Sequence, residues 1–196
     1  MNFFSAESRF FFRPLVKLLL LLNLLLIAEG CTAHRTNFVS PALTIAQNQK
    51  MLPVLPFVNI LVPETFAESV FNDYVDKLNE NPAKTGFSWF GIIKDDLKEV
   101  EKILTPAHIY LAGEVWSYLE DSGCCSTEIS VKSRLRIYRV LSRELLWETE
   151  IPLDSFFEHD ASTLAVERQK LATRLSQEMV AATIKVLEDA RRIQIE

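Results

Sequence analysis

Glycine is scarce in this chain, five among 196 residues. So few glycines leave neither a G-x-G-x-x-G nor a P-loop spacing, which excludes the backbone cradle that nucleotide phosphates need. Cysteine is scarcer still, three in all. The two nearest each other, Cys124 and Cys125, are adjacent. Zinc sites require spaced pairs or added histidines, so no metal centre is expected. The three histidines, His34, His108 and His159, stand far apart. None belongs to an H-E-x-x-H pattern or lies beside a nucleophile elbow. Asp95-Asp96 reads as the start of a helix, where carboxylates complement the dipole, rather than as an acid–base pair. No catalytic residues and no cofactor are expected. Basic charge is also short: 21 Lys and Arg face 26 Asp and Glu, for a net charge of −5. A phosphate backbone wants a basic surface, so nucleic acid is excluded as a partner.

The chain also lacks an apolar run of the roughly 20 residues that cross a bilayer as a helix. What stands at the N-terminus is shorter: Leu18 to Ile27 reads LLLLLNLLLI. Arg9, Arg13 and Lys17 precede it, giving the charged start and apolar core of a secretory signal. The run ends in Ala28-Glu29-Gly30-Cys31, where small residues at Ala28 and Gly30 fit a peptidase subsite. A cysteine directly after them resembles a bacterial lipobox, with Ala28 where leucine is usual and Glu29 where a small residue is usual. The resemblance implies cleavage before Cys31 and acylation of its sulfur, each buried methylene contributing about 0.8 kcal/mol to anchoring. Thr32 rather than aspartate follows, which by the usual sorting rule directs the chain to the outer membrane. An ordinary cleaved signal, with Cys31 incidental, and an uncleaved signal anchor are the other readings.

Cleavage would leave roughly 166 residues, enough for a sizeable core. It removes three basic residues and two acidic ones, leaving 18 against 24 and a net charge of about −6. The expected organisation is a signal peptide over 1–30, a lipidated cysteine and flexible tether over 31–50, and a periplasmic α/β domain over 51–196.

Within that domain Met51 to Val62 is an apolar strand. Pro53 and Pro56 cannot donate ladder hydrogen bonds, so it should be an edge or be paired mainly after Pro56. Thr65 and Glu68 have capping-box spacing, and Phe66, Val70, Tyr74 and Leu78 follow at helical steps. Asn79 to Gly86 is turn-rich. Phe87 to Ile93 is a second strand. Asp95 opens a short helix carrying Leu97, Val100 and Leu104. Ile109 to Leu119, Glu128 to Leu141 and Glu144 to Ile151 read as three consecutive strands, the last two joined at Ser142-Arg143. A long helix from Asp160 to Ile193 carries Leu171, Leu175, Met179, Ala182 and Val186 on its inner stripe. The order β-α-β-α-β-β-β-α predicts an α+β two-layer domain, with a mixed sheet of about five strands and its helices on one face.

Three segments of this pattern resemble a group of bacterial envelope lipoproteins. The group includes the curli-secretion lipoprotein, the penicillin-binding-protein activators, the Pel exopolysaccharide-export lipoprotein and the N-terminal domain of the Tol translocation protein. The segments are Val54-Leu55-Pro56-Phe57-Val58-Asn59, then His108-Ile109-Tyr110-Leu111-Ala112-Gly113-Glu114-Val115, then Glu144-Leu145-Leu146-Trp147. The Thr-Gly usual before the last is Ser142-Arg143 here. The resemblance implies a non-enzymatic adaptor or assembly factor in a secretion, polysaccharide-export or cell-wall machine. It further implies binding to envelope proteins or to further copies of itself.

If Ile109, Leu111 and Val115 face the helices, strict alternation puts Tyr110, Glu114, Trp116 and Tyr118 on the other face. Lys132, Arg134, Arg136 and Tyr138 would neighbour them, with Glu148 and Glu150 beyond. Opposite charges across strands contribute about 0.2–1 kcal/mol per pair, so a solvated ladder explains this face. Tyr, Trp and Arg also make up protein interfaces. Tyr110, Trp116, Tyr118, Lys132, Arg134 and Arg136 are therefore the candidate partner face, with a glycan or small ligand as the other possible occupant. Cys124 and Cys125 are candidates for a disulfide, within the chain or between chains.

Overall fold

Pro53 and Pro56 do not make an edge of the Met51–Val62 stretch: Pro53 lies inside an interior strand, and Pro56 stands where the stretch breaks in two. The computed structural model describes residues 36–80, 82–94, 102, 104, 105 and 108–194. Its seven strands are β1 (Asn37–Val39), β2 (Met51–Val54), β3 (Val58–Asn59), β4 (Trp89–Ile92), β5 (Ile109–Ser122), β6 (Ser126–Arg139) and β7 (Leu145–Glu158). Two long helices accompany them, α1 (Glu64–Glu80) and α2 (Leu164–Ile193). The sheet order is β1-β7-β6-β5-β2-β4, with β3 continuing on β5. The class is α+β with a mixed sheet, as expected, but with seven strands instead of five. Cys31, His34 and the short helix expected from Asp95 lie outside the described residues.

Strand β2 is interior, parallel to both β4 and β5, and pairs before Pro56 rather than after it. The cost of Pro53 is met by a side chain. The Leu55 N–H donates to the Leu111 carbonyl at 2.9 Å. One ladder step back, the missing N–H of Pro53 would meet the Ile109 carbonyl. That carbonyl instead accepts from Gln49 Nε2 at 2.7 Å, while the Ile109 N–H donates to Gln49 Oε1 at 2.9 Å. The Gln49 amide thus acts as a piece of strand.

The stretch expected to be a tether to Lys50 joins the domain from Asn37 onward. Strand β1 pairs antiparallel with β7 from Asn37↔Thr149 to Val39↔Trp147. Asn37 Oδ1 accepts from Trp147 Nε1 at 2.9 Å, and Leu43, Ile45 and Gln49 are buried. Isolated apolar residues at irregular spacing leave no period for a sequence reading to detect.

Strand β6 alternates as expected, with Ile129, Val131, Leu135 and Ile137 buried. It turns into β7 through Arg143, whose φ of 54° is the left-handed conformation that glycine usually supplies. Strand β7 runs seven residues past the expected end at Ile151, to Glu158.

Helix α1 buries Phe66, Val70, Tyr74 and Leu78. The expected Thr65–Glu68 box does not cap it, because the helix starts at Glu64, two residues before the start that a Thr65 cap would give. The Pro63 carbonyl accepts from the N–H groups of Phe66 and Ala67, both at 3.0 Å. Helix α2 begins at Leu164 rather than near Asp160, capped by the Thr163 hydroxyl accepting from the Val166 N–H. Both helices contribute to one core with β2, β5, β6 and β7. They lie on one face of the sheet, joined by a buried hydrogen bond of 2.7 Å between the Tyr74 hydroxyl and Thr183 Oγ1.

Candidate partner-binding face

The face of the sheet turned away from the helices is built on the Glu114–Arg134–Glu150 row. Glu114 pairs in register with Arg134, which pairs with Glu150; one step along, Arg136 pairs with Glu148. Arg134 Nη1 is 3.0 Å from Glu114, and the same guanidinium donates to Glu150. Arg136 Nε is 2.6 Å from Glu148, and its Nη2 is 3.3 Å from Glu114. The hydrogen bond from Arg134 holds the Glu150 carboxyl below the usual carboxylate range, against the opposing effect of burial. Burial acts against the Arg136 charge, but Glu148 and Glu114 outweigh it and push that group up. Both arginines are thus engaged by carboxylates of their own chain.

The aromatic members divide. Trp116 stands on this face, with Lys132 Nζ 5.5 Å and Arg134 Cζ 5.4 Å from its ring centre. Tyr110 is buried and stacks on Tyr138 at 5.4 Å. Tyr118 is on the opposite face, which corrects the expectation from strict alternation. A bulge lies between Val115 and Ser117: Val115 pairs with Ser133, but Ser117 pairs with Lys132, so Trp116 is the extra residue. One extra residue inverts every side chain beyond it. Tyr118 therefore shares a face with Val131 and packs on Phe66 of α1, ring centres 5.0 Å apart.

There Tyr118 joins a small polar cluster with Glu120 and Arg168 of α2. Arg168 Nε donates to Tyr118 at 3.1 Å and to Glu120 at 2.6 Å, and Tyr118 donates to Glu120. Burial, then the contact with Glu120, pushes the Tyr118 hydroxyl up to about 12. The hydrogen bond from Arg168 holds Glu120 below the usual range. Of the six candidates, the structure brings Trp116, Lys132, Arg134 and Arg136 together on one face, where Lys132 is exposed and the other three are half-buried, and it withdraws Tyr110 and Tyr118.

Two apolar features escaped the sequence reading. The first is the loop running on from β3. Val58 and Ile60 are exposed, and Leu61 is 91% exposed with φ 56°, a left-handed conformation rare for leucine. The visible signal was N-I-L-V-P, an apolar run without a polar alternate, standing between Pro56 and Pro63. The second is a groove of about 430 Å³ between β1 and the C-terminal half of α2, lined by Val39, Pro41, Leu43, Trp147, Val186 and Ile193 among others. A further cavity of about 470 Å³ lies beside Gln49, Thr85, Arg191 and Gln194. Among the described residues no group of three or more His, Cys, Asp or Glu is placed to hold a metal ion. Cys124 and Cys125 are exposed, in the β5–β6 turn.

No protein-family model matches this chain, and no curated protein sequence matches it. Solved structures do resemble it. The PelC dodecamer from Paraburkholderia phytofirmans aligns with a TM-score of 0.50 at 15% identity, over 72% of this chain and 94% of that one. A protein from Helicobacter pylori, described as a neuraminyllactose-binding hemagglutinin homolog, aligns with a TM-score of 0.54 at 11% identity, over 74% and 87%. At such identities the likeness is one of fold, and by fold this chain is an α+β domain of the kind these two proteins share.

Proposed function

We propose that this chain is an outer-membrane lipoprotein, anchored on the periplasmic side by acylated Cys31, that acts as a non-catalytic, self-associating adaptor. It would serve an envelope machine of the secretion, polysaccharide-export or cell-wall kind. The signal architecture and the cysteine after Gly30 support the anchor. The fold likeness to PelC, a dodecamer, supports the assembly role. With β1 beginning at Asn37, the link to Cys31 spans at most about 20 Å when extended. Assembly would then take place close to the membrane surface.

One observation carries the self-association: a projecting apolar loop and an apolar groove lie on different sides of the same sheet. The Val58–Leu61 loop leaves β3 beside β5, whereas the groove lies at β1, with β7 and β6 between. Two unlike surfaces on one molecule make a head-to-tail contact, which closes into a ring if the rotation per copy allows. Leu61 entering the groove between Val39 and Ile193 of the next copy would bury the strained loop and relieve its exposure. A glycan-binding role for the charged face has less support, because Arg134 and Arg136 already hold Glu114, Glu148 and Glu150.

The test combines mass with assembly. Intact-mass measurement of the membrane-extracted protein should show an N-terminal diacylated Cys31. Light scattering of that protein should show oligomers that fall to monomers in Leu61→Asp, a change at an exposed position. An unacylated chain starting elsewhere removes the anchor. A Leu61→Asp protein that remains as oligomeric as the parent removes the loop-in-groove contact.

A further inference from the structure

The hairpin joining β5 to β6 turns through Gly123, Cys124 and Cys125. Its base is braced on both strands. The Gly123 N–H donates to the Ser126 carbonyl at 2.9 Å, and the Ser122 and Thr127 hydroxyls share a hydrogen bond of 3.0 Å. Thr127 Oγ1 lies 2.8 Å from His159 Nε2. The His159 N–H donates to the Cys125 carbonyl at 2.9 Å, tying the turn itself to the far end of β7. On this braced tip both cysteines are exposed, and their Sγ atoms are 3.2 Å apart. Adjacent side chains usually diverge; these two converge.

We infer that Cys124 and Cys125 form a reversible dithiol–disulfide site within one chain, oxidised by thiol–disulfide exchange with a disulfide of the glutathione type. In the first step the Cys124 thiolate attacks one sulfur of glutathione disulfide. The S–S bond of that molecule breaks, one glutathione thiolate leaves, and Cys124 carries the other as a mixed disulfide. In the second step the Cys125 thiolate attacks Cys124 Sγ and displaces the second glutathione thiolate. The chain gives up two protons and two electrons, and glutathione disulfide takes up both to become two thiols. The 3.2 Å separation of the two Sγ atoms places Cys125 within reach of Cys124 for the second attack. Adjacent Cα atoms stand about 3.8 Å apart across a trans peptide, closer than the roughly 4.4–6.8 Å usual for a disulfide. An exposed bond so constrained belongs with the readily reduced, switchable kind rather than the structural kind.

The experiment uses the full mature protein, treated with glutathione disulfide, alkylated with iodoacetamide and digested with trypsin. The fragment 103–132 contains both cysteines and excludes Cys31. The inference expects that fragment unalkylated and lighter by a pair of hydrogens, from a protein that runs as a single chain on a denaturing gel without reductant. Dithiothreitol should restore two alkylatable thiols. In Cys125→Ser, the mixed disulfide should persist on Cys124, because the displacing sulfur is gone. A doubly alkylated fragment, a stable glutathione adduct on the parent protein, or a chain-to-chain disulfide overturns it. So does a Cys125→Ser protein that retains no adduct.

Discussion

The ring of Phe57 occupies the space that a Cβ on Gly113 would need, with the nearest ring carbon 2.5 Å from that position. Phe57 belongs to the Val54–Asn59 segment and Gly113 to the His108–Val115 segment, the first two that carried the family resemblance. Within this chain the two are complementary, the Phe57 ring filling the notch left by Gly113. The Phe57 ring is held there by Phe71 and Tyr74 of α1, at 5.0 and 5.4 Å.

Gly113→Ala should therefore overpack the junction of β5 with α1 and destabilise the domain by about 1–3 kcal/mol. Urea unfolding should show the midpoint falling at an unchanged slope. The double variant Gly113→Ala with Phe57→Leu should recover part of the loss, since the smaller side chain vacates the notch. Additive losses would show that the two residues are not coupled.

Gln49→Ala should be among the most damaging polar substitutions. It strips both partners from the Ile109 backbone at a site where Pro53 has no N–H to offer. Each buried group left unpaired costs about 1–3 kcal/mol. Gln49→Glu keeps an acceptor for the Ile109 N–H but buries a carboxylate oxygen against the Ile109 carbonyl, so at neutral pH it should be no milder than alanine, and it should recover as acid protonates the new carboxyl. Hydrogen exchange at Ile109 would report the change locally.

The charged ladder should prove individually weak. Arg136→Ala should cost no more than about 1 kcal/mol, an effect that shrinks as salt is added, because partly exposed ion pairs contribute little. A loss several times larger, insensitive to salt, would mean that the face is buried against another surface in solution.

Acid should unfold the domain partly through Glu120 and Glu150. Arg168 and Arg134 hold these carboxyls below their usual range in the folded state. The unfolded chain returns them to about 4.3, so as pH falls it takes up protons before the folded chain does. Their stabilisation is present above that value and drains away as pH drops through the lower folded values. Tyr118 has the opposite sign: raised to about 12, it stabilises below the ordinary value of about 10 and loses that contribution as pH rises from there towards its folded value. Urea midpoints measured against pH should show both limbs. The acid limb should flatten in the double variant Glu120→Gln, Glu150→Gln, and the alkaline limb in Tyr118→Phe.

Much of this architecture was legible in the chain alone. The two-residue period of β6 showed which side chains meet the core, and the stripe from Phe66 to Leu78 oriented α1, because both rest on contacts repeated along one element. The tertiary structure decided what depends on residues far apart. Trp116 looks like any strand residue until its pairing with β6 shows a register shift, and only then does Tyr118 move to the helix side. Pro53 looks like a strand edge until Gln49 supplies the missing donor. Asn37 to Val39 carries no strand pattern until β7 offers an open edge and Trp147 a donor for Asn37. Periodicity is local information. Register, donor substitution and edge pairing are settled by which distant backbone groups would otherwise be left without a partner.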